Sequence, residues 1–203
     1  DAEAANHVDR IYEELGLTHR VIANLSMRER GKMLRRLHGN PFMASPICRP
    51  SSAAASSGSR AGVATPGALT YGEIPASEAL RIVGKAVGAR QGGGREVFCD
   101  LGSGRGQVVL AVYRRWTDHF AECRGIEALS GLVELSSRAS AAMVAEVRDL
   151  ARESHSCKMT FSVADFLSSG QQWLDADIVY IVGTCFPTEW FESNGALCAL
   201  LLR

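Results

Sequence analysis

The chain has 203 residues, with 22 basic and 22 acidic side chains, so its formal net charge is zero. A neutral chain carries no global field that would draw in nucleic acid or an anionic surface, and no apolar run reaches the ~18 residues of a bilayer span. Its six cysteines, Cys48, Cys99, Cys123, Cys157, Cys185 and Cys198, form no CxxC pair, which argues against a zinc ribbon, a metal site or a disulfide scaffold and for free thiols in a reducing compartment.

The opening stretch, DAEAANHVDR, lacks the basic and then apolar order of a signal peptide, so a soluble intracellular protein with no membrane partner is expected. Val8, Ile11, Tyr12 and Leu15 recur at i, i+3, i+4 and i+7, one apolar helical stripe closed by Gly16. Thr18 can cap a second helical piece carrying Val21, Ile22 and Leu25. Ser26 and Glu29 form a capping box for a third, which ends near Gly39 and Pro41. That third piece carries Arg28, Arg30, Lys32, Arg35 and Arg36 against Glu29 alone. Such a face could touch DNA or an acidic partner, and a basic helix face is more often merely solvated. Residues 49–68, RPSSAAASSGSRAGVATPGA, are too poor in large apolar groups to order themselves and read as a linker or loop. The organisation expected is a helical region over 1–48, a linker over 49–68 and an α/β domain over 69–203.

Within that domain, Pro75 suits the first turn of a helix whose apolar stripe is Leu80, Val83 and Val87, up to Gly88. QGGGR is a turn, EVFCD a buried strand, and GQVVLAVYRRW opens a helix. CRGIE is a second strand, GLVELSSRASAAMVAEVRDLARE a long helix, MTFSVADF a third strand and ADIVYIV a fourth, before a further helix in TEWFESNGALCALLL. Strands without a polar face that alternate with helices predict an open, Rossmann-like parallel sheet covered on both sides.

The stretch FCDLGSGRGQVVL, residues 98–110, joins strand, glycine turn and helix start. It places backbone N–H groups and the positive end of a helix at the C-terminal edge of the sheet. A dinucleotide site needs GxGxxG, and here Gln107 stands where the third glycine would be. Asp100 would also face the phosphates with a like charge. S-adenosylmethionine, with an ammonium, a sulfonium, a ribose and no phosphate, suits the turn better. Glu127 ends the second strand, where it can accept the ribose hydroxyls. Asp165 ends the third, where it can accept the adenine amino group with Phe166 against the ring. Either acid alone reads equally as a solvent-facing strand end. Three acids at one edge of the sheet favour the cofactor.

LTYGEI (69–74), FCDLGSGRGQVVL, GIE, ADFL (164–167) and IVYIVGTCF (178–186), in that order, resemble the Dot-one-like (disruptor of telomeric silencing) family. Its members are class I S-adenosylmethionine-dependent methyltransferases that modify a lysine on the globular surface of histone H-three. The resemblance covers about residues 69–190. It implies that Tyr71 and Glu73 close a loop over the methionine end and that Asp100, Gly102, Ser103, Gly104 and Gln107 form the wall beside it. It further implies Glu127 as ribose ligand and Asp165 with Phe166 as adenine clamp. It also implies nuclear localisation and a nucleosome or histone partner.

The family pattern at the fourth strand is two asparagines followed by Phe-Ala-Phe. This chain has Val182-Gly183-Thr184-Cys185-Phe186, so the lysine channel differs. The candidate catalytic set is then Tyr71, Thr184 and Phe186, with Tyr180, Phe186 and Trp190 either lining an apolar channel or packing as core. No histidine is suited to deprotonate a lysine, since His119 and His155 read as surface residues. A methyltransferase with another protein or small-molecule substrate, acting in the cytoplasm, and a non-catalytic cofactor-binding domain are the alternatives. The class I sheet implied by the resemblance has the order 3-2-1-4-5-7-6, of which this sequence supplies the first four strands. The chain is therefore expected to be a fragment that aggregates through an apolar fourth strand and transfers little methyl.

Overall fold

The computed structural model describes residues 2–17, 74–89, 95–150, 157–167, 172–183, 186 and 191. Within these, helix α1 (Ala2–Glu14) precedes helix α2 (Ala76–Ala89), strand β1 (Glu96–Leu101) and helix α3 (Gln107–Arg115). Strand β2 (Phe120–Glu127), helix α4 (Ser130–Leu150), strand β3 (Lys158–Val163) and strand β4 (Ile178–Ile181) follow. The helical pieces expected from Thr18 and Ser26, the basic residues Arg28 to Arg36 and the 49–68 linker lie outside the described residues. So do Tyr71, Glu73, Thr184, His155 and Trp190, the glycines of the QGGGR turn, and residues 188–202 apart from Phe191.

Helix α1 forms where the apolar stripe predicts it. Val8, Ile11 and Tyr12 are buried, Leu15 packs beside them, and the chain leaves the helix through Gly16 at φ 67°. Burying side chains of this size contributes about 1.5–3 kcal/mol each. Helix α2 starts from Pro75, whose carbonyl accepts the N–H groups of Glu78 and Ala79, and it buries Leu80 and Val83 with Val87 beside them. Proline loses nothing at this position, because its missing N–H would have had no intrahelical partner.

The four strands are all parallel, in the order β3-β2-β1-β4. Leu101 stands level with Ile126 on one side and Ile181 on the other, and Glu127 is level with Val163. All four strands therefore end at one edge. Among the described residues β4 pairs with β1 alone.

On one face Phe98, Cys123, Ile178 and Tyr180 join all four helices in a single apolar core. Helix α1 is thus built into the same core as the sheet. On the other face Cys99, Leu101 and Ile126 pack against Phe166 and Trp173 of the β3–β4 connection, with Phe186 beside them. The apolar reading of the strands holds over β1. On this second face β2 and β3 carry Glu122, Arg124, Thr160 and Ser162, which line a groove of ≈ 590 Å³. There the Arg124 guanidinium donates to Asp175 at 2.7 Å and to Glu122 at 2.9 Å, and its bond holds the Asp175 carboxyl below the usual carboxylate range. The chain forms an open α/β sheet of Rossmann-like form.

Three details depart from the sequence reading. Strand β2 starts three residues before Cys123, at Phe120, because the ladder with β1 continues through an irregularity between Glu96 and Val97. Strand β3 ends at Val163, short of the expected Phe166, because the Asp165 carboxylate accepts the Leu167 N–H at 2.9 Å and turns the chain. His119 is half-buried rather than on the surface, 3.2 Å from the Glu96 carboxylate and edge-on to the Phe120 ring.

Candidate functional site

The glycine turn lies at the shared C-terminal edge, between β1 and α3. Gly102, Gly104 and Gly106 all have positive φ, at 76°, 56° and 84°. The left-handed region costs a side-chain-bearing residue roughly 1–2 kcal/mol, so the alternation of glycines follows from the backbone path. The turn is fixed to β2 by the Ile126 carbonyl, which accepts the N–H groups of Gly102 at 2.8 Å and Ser103 at 3.0 Å. Gly102 is exposed at the edge, while Ser103 to Gln107 are buried.

Asp100 stands level with Tyr180 in the β1–β4 ladder and is 3% exposed. No hydrogen bond or ion pair reaches its carboxyl among the described residues. Burial, and then the nearby Glu127 charge, push its pKa up to about 8. The same burial pushes the Cys99 thiol up to about 12 and, with the charge of Asp100 as second cause, does the same to Tyr180. A buried carboxylate without a counter-charge is a costly group. A ligand bringing an ammonium to it would remove that cost.

Glu127 closes β2 with both oxygens engaged. One accepts the Gly104 N–H at 3.0 Å, the other the Leu129 N–H at 2.9 Å. It therefore ties the glycine turn to the start of α4, where a negative charge also complements the helix dipole. A carboxylate has about four lone-pair sites, of which these two N–H groups take one on each oxygen. Asp165 is at the same edge, two residues beyond the end of β3.

Phe166 is buried, 7% exposed, against the ring of Phe186 at 5.3 Å and nearly perpendicular. Its carbonyl accepts the Trp173 indole N–H at 2.8 Å. Phe186 also leans on the turn: a Cβ placed on Gly102 would stand 2.7 Å from its Cζ. The structure thus gathers Asp100, Gly102, Ser103, Gly104, Gln107, Glu127, Phe166 and Phe186 around one strand edge, with Asp165 beside them. It does not bring Tyr180 and Phe186 into one channel. Tyr180 packs in the helix-side core against Phe98, with ring centroids 6.5 Å apart, and Phe186 packs with the opposite cluster.

Four residues of the site were not singled out from the sequence for this role. Tyr12 donates its hydroxyl to the Arg105 carbonyl within the turn. Arg105 donates to the Gln107 side chain at 2.9 Å. Ser136 of α4 donates to the Gly104 carbonyl at 3.2 Å as well as to Leu132. Gly125 is the fourth: a Cβ there would meet Phe161 at 2.5 Å and the Ser103 hydroxyl at 2.8 Å. Arginine inside a glycine turn and a serine in the middle of an apolar helical face were the available signals.

Ser103 is 8% exposed and its hydroxyl has no hydrogen-bond partner among the described residues. Together with the Asp100 carboxyl, it is a buried polar group at this edge without a partner among the described residues, a condition that calls for an explanation. Among the described residues no three His, Cys, Asp or Glu side chains gather in a metal-binding arrangement, and no helix is long and apolar enough to cross a membrane. No protein-family model matches the chain, and no curated protein matches it.

Proposed function

We propose that this chain binds S-adenosylmethionine at the glycine turn and belongs to a methyltransferase of the Dot-one-like type. The observation that carries the reading is Asp100, buried and without a hydrogen-bond or ion-pair partner among the described residues, two positions before a turn of three left-handed glycines. The cofactor's ammonium would supply a counter-charge to this carboxylate. In the same reading Glu127 and Asp165 hold the ribose and the adenine amino group, and Gly102 and Gly104 let the ligand lie against the backbone. The bound group would supply an electrophilic methyl. The chain's own work is then mostly positioning, which accounts for much of the rate in such an in-line transfer.

A lysine nucleophile has to be neutral, and deprotonating it near pH 7.4 costs about 4 kcal/mol at its reference pKa. An apolar approach beside Phe186 would favour the neutral amine by desolvation. A histone or nucleosome substrate and nuclear localisation belong to this reading, with the basic segment from Arg28 to Arg36 as its DNA contact. The stretch from Val182 to Phe186, which replaces the family's asparagine-containing pattern, favours as second reading a related enzyme with another protein or small-molecule substrate.

Calorimetric titration with S-adenosylmethionine, S-adenosylhomocysteine and NAD tests the cofactor. Binding of the first two and none of NAD is expected, and NAD binding of comparable strength would overturn the proposal. Transfer of labelled methyl to nucleosomes, free histones or a small-molecule panel then separates the two substrate readings.

A further inference from the structure

We infer that helix α1 is a positioning element of the cofactor site, acting through Tyr12 on Arg105, an inference that rests on the S-adenosylmethionine reading above. Arg105 lies between Gly104 and Gly106, both in the left-handed region. Glycines hold such a path weakly, because they are free to take many others. The geometry has to be imposed by neighbours. The strand β2 side supplies Ile126 and Glu127, and α4 supplies Ser136. At Arg105 the anchor comes from 93 residues earlier in the chain: the Tyr12 hydroxyl donates to the Arg105 carbonyl.

The same pair is locked a second way. The Arg105 guanidinium lies over the Tyr12 ring, 4.2 Å from its centroid, and also donates to Gln107 in the first turn of α3. A cation near a helix N-terminus is electrostatically unfavourable, so helix stabilisation does not account for it there. Stacking on Tyr12 does. Tyr12 and Arg105 are 2% and 9% exposed, so both contacts are shielded from water.

Helix α1 is itself staked to the elements flanking the turn. His7 donates through Nε2 to Glu146 of α4 at 2.7 Å and accepts at Nδ1 from Arg114 of α3 at 2.9 Å. Arg10 adds a second bond to Glu146. Tyr12 therefore reaches the turn from a helix whose position α3 and α4 define.

The test is Tyr12→Phe in the full chain, which keeps the ring under the guanidinium and removes only the hydroxyl. Amide hydrogen exchange at Gly104 and Gly106 without ligand is the first readout, and S-adenosylmethionine affinity by calorimetry the second. Exchange at both amides should quicken, and affinity should fall, each by about fivefold, with exchange in β3 unchanged. Unchanged exchange at the two glycines would overturn the inference whatever the ligand does. Faster exchange with unaltered affinity would also overturn it, reducing Tyr12 to packing. Absence of S-adenosylmethionine binding in the unmutated chain would sink the cofactor reading instead, and the exchange comparison would still decide whether Tyr12 sets the turn.

Discussion

Replacing Asp100 by Asn should stabilise the empty protein at high pH and destabilise it at low pH. In the folded chain the Asp100 carboxyl titrates near 8, against 3.8 for the ordinary group. Between those values the unfolded chain has released the proton and the folded chain retains it, so stability falls as pH rises through this window. The gap between 3.8 and about 8 corresponds to a penalty on the order of 5 kcal/mol, fully developed above pH 8 and absent below pH 4. Asparagine has the same shape and no proton to lose. Its amide N–H groups, with no acceptor among the described residues, cost about 1–3 kcal/mol at every pH. The two stability curves should cross between about pH 4.5 and 6, with the variant ahead by a few kcal/mol at pH 8. Urea unfolding of both proteins at pH 4.5, 6 and 8 and matched ionic strength measures this. Calorimetry at pH 8 should show the opposite sign for S-adenosylmethionine, with affinity at least about tenfold weaker in the variant, since its ammonium loses the counter-charge. A variant that is less stable than the parent by the same amount at all three pH values would refute the reasoning.

Glu127→Gln leaves one of the Gly104 and Leu129 N–H groups facing an amide donor. Unfolding free energy should drop by about 1–3 kcal/mol, and cofactor affinity by at least about tenfold, as denaturation and calorimetry would report. The pH dependence of stability should also move to lower pH, because the Glu127 charge is the second cause of the raised Asp100 pKa. Gly102→Ala combines a left-handed φ of 76° with a Cβ 2.7 Å from the Phe186 ring, and the backbone strain alone costs roughly 1–2 kcal/mol. Adding Phe186→Leu should recover the steric part of the loss in urea unfolding. A single variant as stable as the parent would remove the argument for a forced turn.

Among the described residues, the sequence by itself determined the elements and their kind. The 3.6-residue recurrence of Val8, Ile11, Tyr12 and Leu15 specifies α1, and the apolar run ending in Asp100 specifies the central strand, because these patterns are local and period-bound. The alternation of strands and helices was enough for a parallel sheet, although of β1, β2 and β3 only β1 carries the nearly continuous burial such strands are expected to show. The glycines of the turn announced their own backbone path, and the acids at the strand ends were legible as candidates. What each acid does was decided by the tertiary structure. Asp100 and Glu127 are both strand-end carboxylates in sequence, yet among the described residues one is buried without a partner and the other accepts two backbone N–H groups. That difference depends on neighbours from β4, α4 and the turn, which no local pattern encodes. Phe166 reads as a ring contact for adenine, and only the tertiary structure shows that it is buried with the Phe186 ring against it, just after the Asp165 turn. Tyr12 reads as one more member of an apolar stripe. Only the docking of α1 against α3 and α4 carries its hydroxyl to Arg105, a contact set by packing across the whole chain rather than by any residue near either partner.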